Sequence, residues 1–321
     1  MPSLLTKPLA KALLALSCAL PVVAVAQSVA VTSIVEHPAL DALKNGVKDA
    51  LEKAGYTEQK GLKWTFETAQ GNNAIAAQIA RKFIGDKPDV IVAIATPSAQ
   101  AVVAATKTIP VVYSAVTDPV EAQLVSSFEP SGKNVTGVSD MLDLTRQVEL
   151  IRKVVPNAKT VGMVYNPGEA NSAVVVRQMR ELLPKFGMIL AEVSAPRTVD
   201  VGAAARSLIG RADVIYTSTD NNVVSAYEAL VKVGNDADIP LVASDPDSVK
   251  RGAIAALGIN YYDLGLQTGA MVIEILKGKA PGSMPSQMGE KVELHVNLAA
   301  AAKQGVTLSP ELVNSATNVI K

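Results

Sequence analysis

An α/β protein of two doubly wound parallel-sheet lobes joined by a three-segment hinge is the fold this sequence of 321 residues predicts. A long internal repeat, an alternation of strand-like with helical segments, and an aliphatic, aromatic-poor composition carry that reading. In the repeat, Ala80-Arg81-Lys82-Phe83-Ile84-Gly85 and Asp89-Val90-Ile91 are matched by Ala205-Arg206-Ser207-Leu208-Ile209-Gly210 and Asp213-Val214-Ile215. Ile109-Pro110-Val111-Val112 is matched by Ile239-Pro240-Leu241-Val242, and two upstream helices close at Gly55 and Gly187. Partners lie 132, 125, 124 and 130 residues apart, too far for a solenoid unit and right for two like lobes. The chain is 49% hydrophobic but only 4% aromatic, which favours closely packed helix-on-sheet layers over an all-β sandwich.

Val29 to Val35 reads as a strand, and Ala39 to Ala54 as a helix with Ala39, Leu40, Leu43, Val47 and Leu51 at helical spacing. Lys63 to Glu67 alternates as a strand and Ala74 to Ile84 is helical. Val90 to Ala95 is a buried parallel strand, Ala99 to Thr106 a helix and Val111 to Ala115 a strand. This spacing makes right-handed βαβ units. Val135 to Ser139 is a strand-like crossing between lobes. The second lobe repeats the order: helix Leu144 to Val154, started by Asp143 or Thr145; strand Thr160 to Tyr165; helix Ala173 to Phe186; strand Ile189 to Val193. Helix Val201 to Ile209, strand Val214 to Ser218, helix Val223 to Gly234 and strand Leu241 to Ala243 complete it. Because both halves look finished by then, strand Ala253 to Leu257 and helix Leu264 to Leu276 are expected to return to the first lobe. The chain from Pro285 would finish on the second. The boundaries expected are 27–140 with 252–280 for the first lobe and 141–251 with 281–321 for the second. Three crossings make a stiff hinge, and closure around a ligand is the motion it permits.

Lys7 and Lys11 form a positive n-region, Ala12 to Val25 is almost wholly apolar, and Ala24-Val25-Ala26 offers a small-x-small cleavage site. The apolar stretch is short for a membrane span, so residues 1–26 read as a signal peptide cleaved after Ala26 and the mature chain as periplasmic. Cys18 does not read as a lipidation site, because Ala15-Leu16-Ser17 lacks the Leu expected three positions before such a cysteine. Removing 26 of 321 residues leaves 295 with no cysteine, so the exported chain is held by its core alone. The full chain has 30 basic and 30 acidic residues, and loss of Lys7 and Lys11 leaves 28 against 30. Such a balance directs no face toward nucleic acid or anionic lipid.

In open parallel sheets ligands bind beyond the carboxyl ends of the strands. In the first lobe those ends carry Glu36-His37-Pro38, Thr96-Pro97-Ser98 and Val116-Thr117-Asp118. In the second they carry Asn166 to Ser172, Asp220-Asn221-Asn222 and Ser244-Asp245. Hydroxyls backed by free helix amides suit a carboxylate, whereas acids and amides suit an ammonium group. The pair of walls therefore matches a zwitterion such as a free amino acid. Ser98 and Thr117 would hold the carboxylate, and Glu169 or Asp220 the ammonium. Capping explains Ser98, Asn171 or Ser172 equally simply, Glu169 also complements a helix dipole, and Asp118-Pro119 is an ordinary turn starter. Asp245 divides evenly between cap and ligand.

No enzyme signature competes. The mature chain has no cysteine nucleophile, no G-x-S-x-G elbow, no P-loop, no G-x-G-x-x-G and no H-E-x-x-H. Its two histidines, His37 and His295, are too distant in sequence to read as a metal pair, and adjacent Glu36 and His37 do not converge as an acid–base pair. No cofactor and no metal is expected.

Several segments carry a resemblance: Ile34-Val35-Glu36-His37-Pro38-Ala39-Leu40-Asp41, Thr68-Ala69-Gln70-Gly71-Asn72, Ala95-Thr96-Pro97-Ser98-Ala99-Gln100 and Ala115-Val116-Thr117-Asp118-Pro119. So do Asn134 to Ser139, Tyr165 to Ser172, and Gly252-Ala253-Ile254-Ala255 with Tyr261-Tyr262. Together, from about Val29 to the C-terminus, they resemble the tryptophan/tyrosine-type substrate-binding proteins of ABC transporters. The resemblance implies a type I periplasmic-binding-protein fold, a monomer that captures ligand between hinged lobes, and delivery to an ABC permease driven by a separate ATPase. It places Thr96, Ser98, Thr117 and Asp118 on one wall of the cleft, and Asn166, Glu169, Asn171, Asp220 and Asn221 on the other. Aromatic amino acids are the implied ligand class. In so aromatic-poor a chain, the ring would rest on apolar groups, proline faces, and Tyr261 or His37. A sensor presenting its closed form to a membrane receptor is the alternative.

Overall fold

The computed structural model describes residues 27–321; the leader and the Cys18 reading lie outside the described residues. In chain order the first lobe contains β1 (Ser28–Ser33), α1 (Pro38–Lys53), β2 (Lys63–Thr68), α2 (Asn73–Asp86), β3 (Val90–Ile94), α3 (Thr96–Ala105), β4 (Val111–Ser114) and β5 (Val135–Ser139). The second opens with α4 (Leu144–Val154), β6 (Thr160–Tyr165), α5 (Ala170–Leu182), β7 (Ile189–Ser194), α6 (Val201–Arg206) and β8 (Val214–Thr217). It continues through α7 (Asn221–Ser225), α8 (Tyr227–Ala237), β9 (Leu241–Ala243), α9 (Asp247–Arg251) and β10 (Ala255–Ile259). Then come α10 (Tyr261–Leu276), β11 (Gln287–Met288), β12 (Val292–Asn297), α11 (Leu298–Lys303), α12 (Pro310–Ser315) and β13 (Asn318–Ile320).

Two sheets result. The first has the order β11-β5-β4-β3-β1-β2 and the second β13-β12-β10-β9-β8-β6-β7. Every pairing is parallel except β10 with β12. Strand order reverses at β1, so right-handed crossovers put α1 on one face of the first sheet and α2 and α3 on the other. Covered on both faces, β3 is the continuous apolar run VIVAI with every residue buried, as a central parallel strand must be. The repeat has an atomic counterpart. Asp89 Oδ2 accepts from the backbone N–H and hydroxyl of Ser28, and Asp213 Oδ2 accepts from the N–H groups of Lys159 and Thr160. In each lobe the repeated aspartate thus pins the start of the lobe's first strand.

The tail departs from expectation in both directions. Strand β10 does not return to the first lobe; it pairs with β9 and β12 and lies inside the second sheet. The segment after Pro285 begins in the first lobe, where Gln287 and Met288 pair with Val138 and Ser139. The reason is that short α9 lets β10 step to the open edge of β9, a pairing that no local pattern announces. Helix α10 does join the first lobe, where Tyr261, Leu264, Met271, Val272 and Ile275 enter its core. It packs on α1 at backbone distance: a Cβ on Gly265 would stand 2.1 Å from the Leu43 carbonyl oxygen, and one on Gly46 2.3 Å from that of Tyr262.

The chain crosses between sheets after β5, before α10 and between β11 and β12. The crossings touch, since Asn260 N–H donates to the Lys291 carbonyl (3.1 Å) and Gly289 N–H to that of Ser139 (2.8 Å). Among the described residues no helix is long and apolar enough to cross a membrane.

Candidate functional site

The carboxyl ends of β1, β3 and β4 form the first wall. His37 N-caps α1, its Nδ1 accepting from the Leu40 N–H at 3.4 Å, so Nε2 is left as the ring's donor. Burial, with the Arg251 charge adding to it, lowers His37 to about 3, and the ring is neutral at ordinary pH. Ala95 (φ 69°) and Ala115 (φ 53°) both take left-handed backbone where their strands end. Non-glycine residues held there carry roughly 1–3 kcal/mol of strain each, and such strain concentrates at binding sites. Helix α3 starts immediately after Ala95 with no side-chain cap. Its first-turn N–H groups have no intrahelical acceptor, and the buried hydroxyls of Thr96 and Ser98 have no partner. An uncapped helix start with two idle hydroxyls is an anion site in waiting.

The second wall is a carboxylate network. Asp220, fully buried, N-caps α7 through Oδ1 to the Val223 N–H, while Oδ2 accepts from Ser172 Oγ (2.6 Å) and the Asn166 N–H (2.6 Å). Glu169 Oε2 accepts from Asn171 Nδ2 (3.1 Å), Asn221 Nδ2 (2.6 Å) and the Asn221 N–H (3.2 Å). With both amide NH2 groups committed to Glu169, Asn171 Oδ1 is left buried and unpartnered. Asp245 accepts from the N–H and hydroxyl of Ser248.

Between the walls lies a cavity of about 320 Å³ of space between atoms, open solvent included. His37, Ala95, Ala115, Asn171, Asn221 and Asp245 face it, and Tyr261 with Asp140 closes its hinge side. Asp140 is 3% exposed; its Oδ2 accepts from Tyr261 Oη at 2.6 Å, and its Oδ1 has no partner. Burial raises the carboxyl above its ordinary range, against the pull of that hydrogen bond. The lobes touch directly at Thr117 Oγ1 and Thr219 Oγ1 (3.2 Å) and through a half-exposed ion pair of Arg177 with Glu121 (3.3 Å).

Of the residues singled out in the sequence, His37, Asn171, Asn221, Asp245 and Tyr261 face this cavity. Thr117 stands at its edge, and Thr96 and Ser98 lie behind it at the start of α3. Others have local employment. Glu36 is exposed, and Asp118 spends Oδ1 on the N–H groups of Val120 and Glu121, so it starts a turn as its bland reading had it. Asn166, half-buried, has Oδ1 on the Gly168 N–H. Ser172 and Asp220 bond each other, and Asp220 accepts from three donors of its own lobe. Glu169 acts through the two asparagines it orients. Asp140, Ala95, Ala115 and Thr219 escaped the sequence reading. The signal for Asp140 is present in the sequence: it directly follows strand Val135–Ser139, at a strand's carboxyl end.

The buried acids set a pH dependence. Burial first, then the neighbouring Asp220 charge, pushes Glu169 from its ordinary 4.5 up to about 7, and burial raises Asp140, Asp220 and Asp245 as well. A carboxyl with a raised folded-state value holds more protons folded than unfolded between the two values. The native state therefore loses stability from this group as pH rises from about 4.5 to about 7. Thermal unfolding is expected at a higher temperature at pH 5 than at pH 8, with Glu169→Gln narrowing the difference. An equal difference in the variant would remove Glu169 as its source.

A family model described as ABC transporter substrate binding protein matches residues 28–320. The tyrosine-binding protein of Clostridioides difficile (strain R20291) is 41% identical over 271 residues, covering 84% of this chain and 79% of that one. An ABC domain from Streptococcus pneumonia, solved in complex with L-Trp, is 31% identical and superposes with a TM-score of 0.88 over 92% of this chain and 99% of that one. The ligand-free, open structure of a Clostridium difficile substrate binding protein is more alike in sequence, at 37%, yet scores only 0.69 over the same shares. The lobes thus stand nearer the arrangement of the L-Trp complex than that of the open form, in keeping with the direct contact of Thr117 and Thr219.

Proposed function

Because this chain belongs to the ABC transporter substrate binding protein family, we propose that it is the extracytoplasmic receptor of an importer and closes on a free amino acid with an aromatic side chain. The observation that carries the reading is the opposition, across one cavity, of an uncapped helix start to a buried carboxylate with an idle oxygen. The ligand ammonium meets Asp140 Oδ1, with Asn171 Oδ1 and Asp245 as further acceptors. The ligand carboxylate meets the first turn of α3, the Thr96 and Ser98 hydroxyls and His37 Nε2–H. An ammonium beside Asp140 draws its carboxyl back to the ionised form that burial opposes. The names of two relatives, one tyrosine-binding and one solved with L-Trp, support an aromatic side chain.

Because Asp140 belongs to the first crossing and Tyr261 directly follows the second, their hydrogen bond joins binding to the hinge. Occupancy favours the closed form to the extent that the ligand touches both lobes only there. No chemical step is assigned to the cavity; the closed chain hands its ligand to a membrane permease from the periplasmic side, after removal of residues 1–26. Mass spectrometry of whatever is released on denaturing the purified protein, followed by calorimetry with that compound and the twenty amino acids, tests the reading. Aromatic amino acids are expected to bind; no binding by any of the twenty would overturn it.

A further inference from the structure

Among the described residues one ion pair joins the lobes away from the hinge: Arg177 of α5 reaches Glu121 of the first lobe at 3.3 Å. Each end is mounted firmly on its own lobe. Glu121 stands on the turn after β4, where Asp118 Oδ1 accepts from the N–H groups of Val120 (3.0 Å) and Glu121 (2.9 Å). The next carbonyl, that of Ala122, accepts from Gln100 Nε2 (3.2 Å), and Ala122 and Leu124 are buried in the first lobe's core. Arg177 stands on the exposed side of α5, whose Val175, Val176 and Met179 are buried in the core of the second lobe. An acid of its own helix, Glu181, lies four residues on, yet the guanidinium pairs across the cleft. A cation that precedes its acid along a helix is the weaker order of such a pair, which leaves Arg177 available to Glu121. Thr117, which meets Thr219 at 3.2 Å, lies four residues before Glu121, so both contacts belong to one seam between the lobes.

Resting on the receptor reading above, we propose that Glu121 and Arg177 form a latch that retains the bound ligand without touching it. Neither residue lines the cavity between the lobes. A contact between the lobes exists only while they are together, so it favours the closed form alone and shifts the population toward it. Ligand enters and leaves through the open form. The latch therefore slows departure, while the ligand's own contacts stay as they are. Exposure bounds its strength: with side chains 48% and 49% exposed, the pair changes the balance by a factor of about two to five. Exposure also makes it subject to screening, so retention weakens as ionic strength rises.

Stopped-flow dissociation of L-tyrosine and L-tryptophan from the mature chain tests this, with the wild type, Glu121→Arg, Arg177→Glu and the double exchange that carries both. At about 10 mM salt, where charges are felt over about 30 Å, each single reversal is expected to speed dissociation at least about two- to fivefold. The double exchange restores an ion pair and should return to within about twofold of the wild type. At about 1 M salt, where that range is about 3 Å, the four rates should converge. Equal rates in the wild type and Glu121→Arg, or a double exchange as fast as the single reversals, would overturn the latch. So would a lowered melting temperature with an unchanged rate, which would make the pair a prop of the fold and nothing more. Small-angle X-ray scattering by the ligand-free proteins reads the latch without any ligand. Glu121→Arg is expected to have a larger radius of gyration than either the wild type or the double exchange. A wild type that binds neither amino acid removes the amino-acid reading by itself; the radii then decide the latch, and equal radii overturn it.

Discussion

Asp140→Asn is expected to weaken amino-acid binding by about 30-fold to several thousandfold, the 2–5 kcal/mol that losing one partner of a buried charge pair removes. The fold should not suffer. Asp140 is a buried acid whose ionisation is opposed by its surroundings, and its neutral isostere keeps an oxygen for Tyr261 Oη. Calorimetry and thermal melting on the same preparations separate the two effects. A Kd within threefold of the wild type would move the ammonium elsewhere, with Asp245 the next candidate. The wild type should also bind more weakly in acid, because its carboxyl must be ionised to pair with an ammonium and its value is raised in the empty site. The asparagine variant should show a smaller dependence, because Glu169 and Asp245 still titrate beside the cavity.

The second large effect concerns the lobe itself. At Gly265 two tendencies oppose each other. Alanine stabilises a helix interior by about 0.8–1 kcal/mol relative to glycine. The added Cβ, however, stands 2.1 Å from the Leu43 carbonyl oxygen and 3.0 Å from the Gly46 Cα, and a Cβ has no rotamer by which to turn away. Helices α1 and α10 must part, and overpacking of this kind costs about 1–3 kcal/mol or more. The clash wins, so Gly265→Ala is expected to lower stability by about 2 kcal/mol, read as a lower urea midpoint. A midpoint at or above the wild type would mean that the helices separate at little cost.

Much of the fold was legible because the deciding pattern is local. Helix Leu144–Val154 and strands Thr160–Tyr165 and Leu241–Ala243 have the bounds their apolar spacing predicts. Strand β10 was misplaced because its partners, β9 and β12, are chosen by sheet geometry and not by its own residues. The site shows the same limit. A polar residue at a strand end reads alike whether it caps a helix or meets a ligand. Asp220 proves to be a cap and Asp140 holds an idle oxygen, yet only the identities of their partners separate them. Thr96 and Ser98 stand at the start of α3, and the absence of any partner for their hydroxyls is a property no sequence displays.

The late return of α10 and β11 sets an order of events. Residues 28–139 leave the ribosome with the apolar stripe of α1 bare, and more than a hundred residues of the other lobe must follow before Leu264 and Met271 arrive to cover it. The lobe that is made first is therefore completed only after most of the other has been made. During that interval its exposed stripe is the surface a chaperone would hold, and docking of α10 is the step on which both halves of the molecule wait.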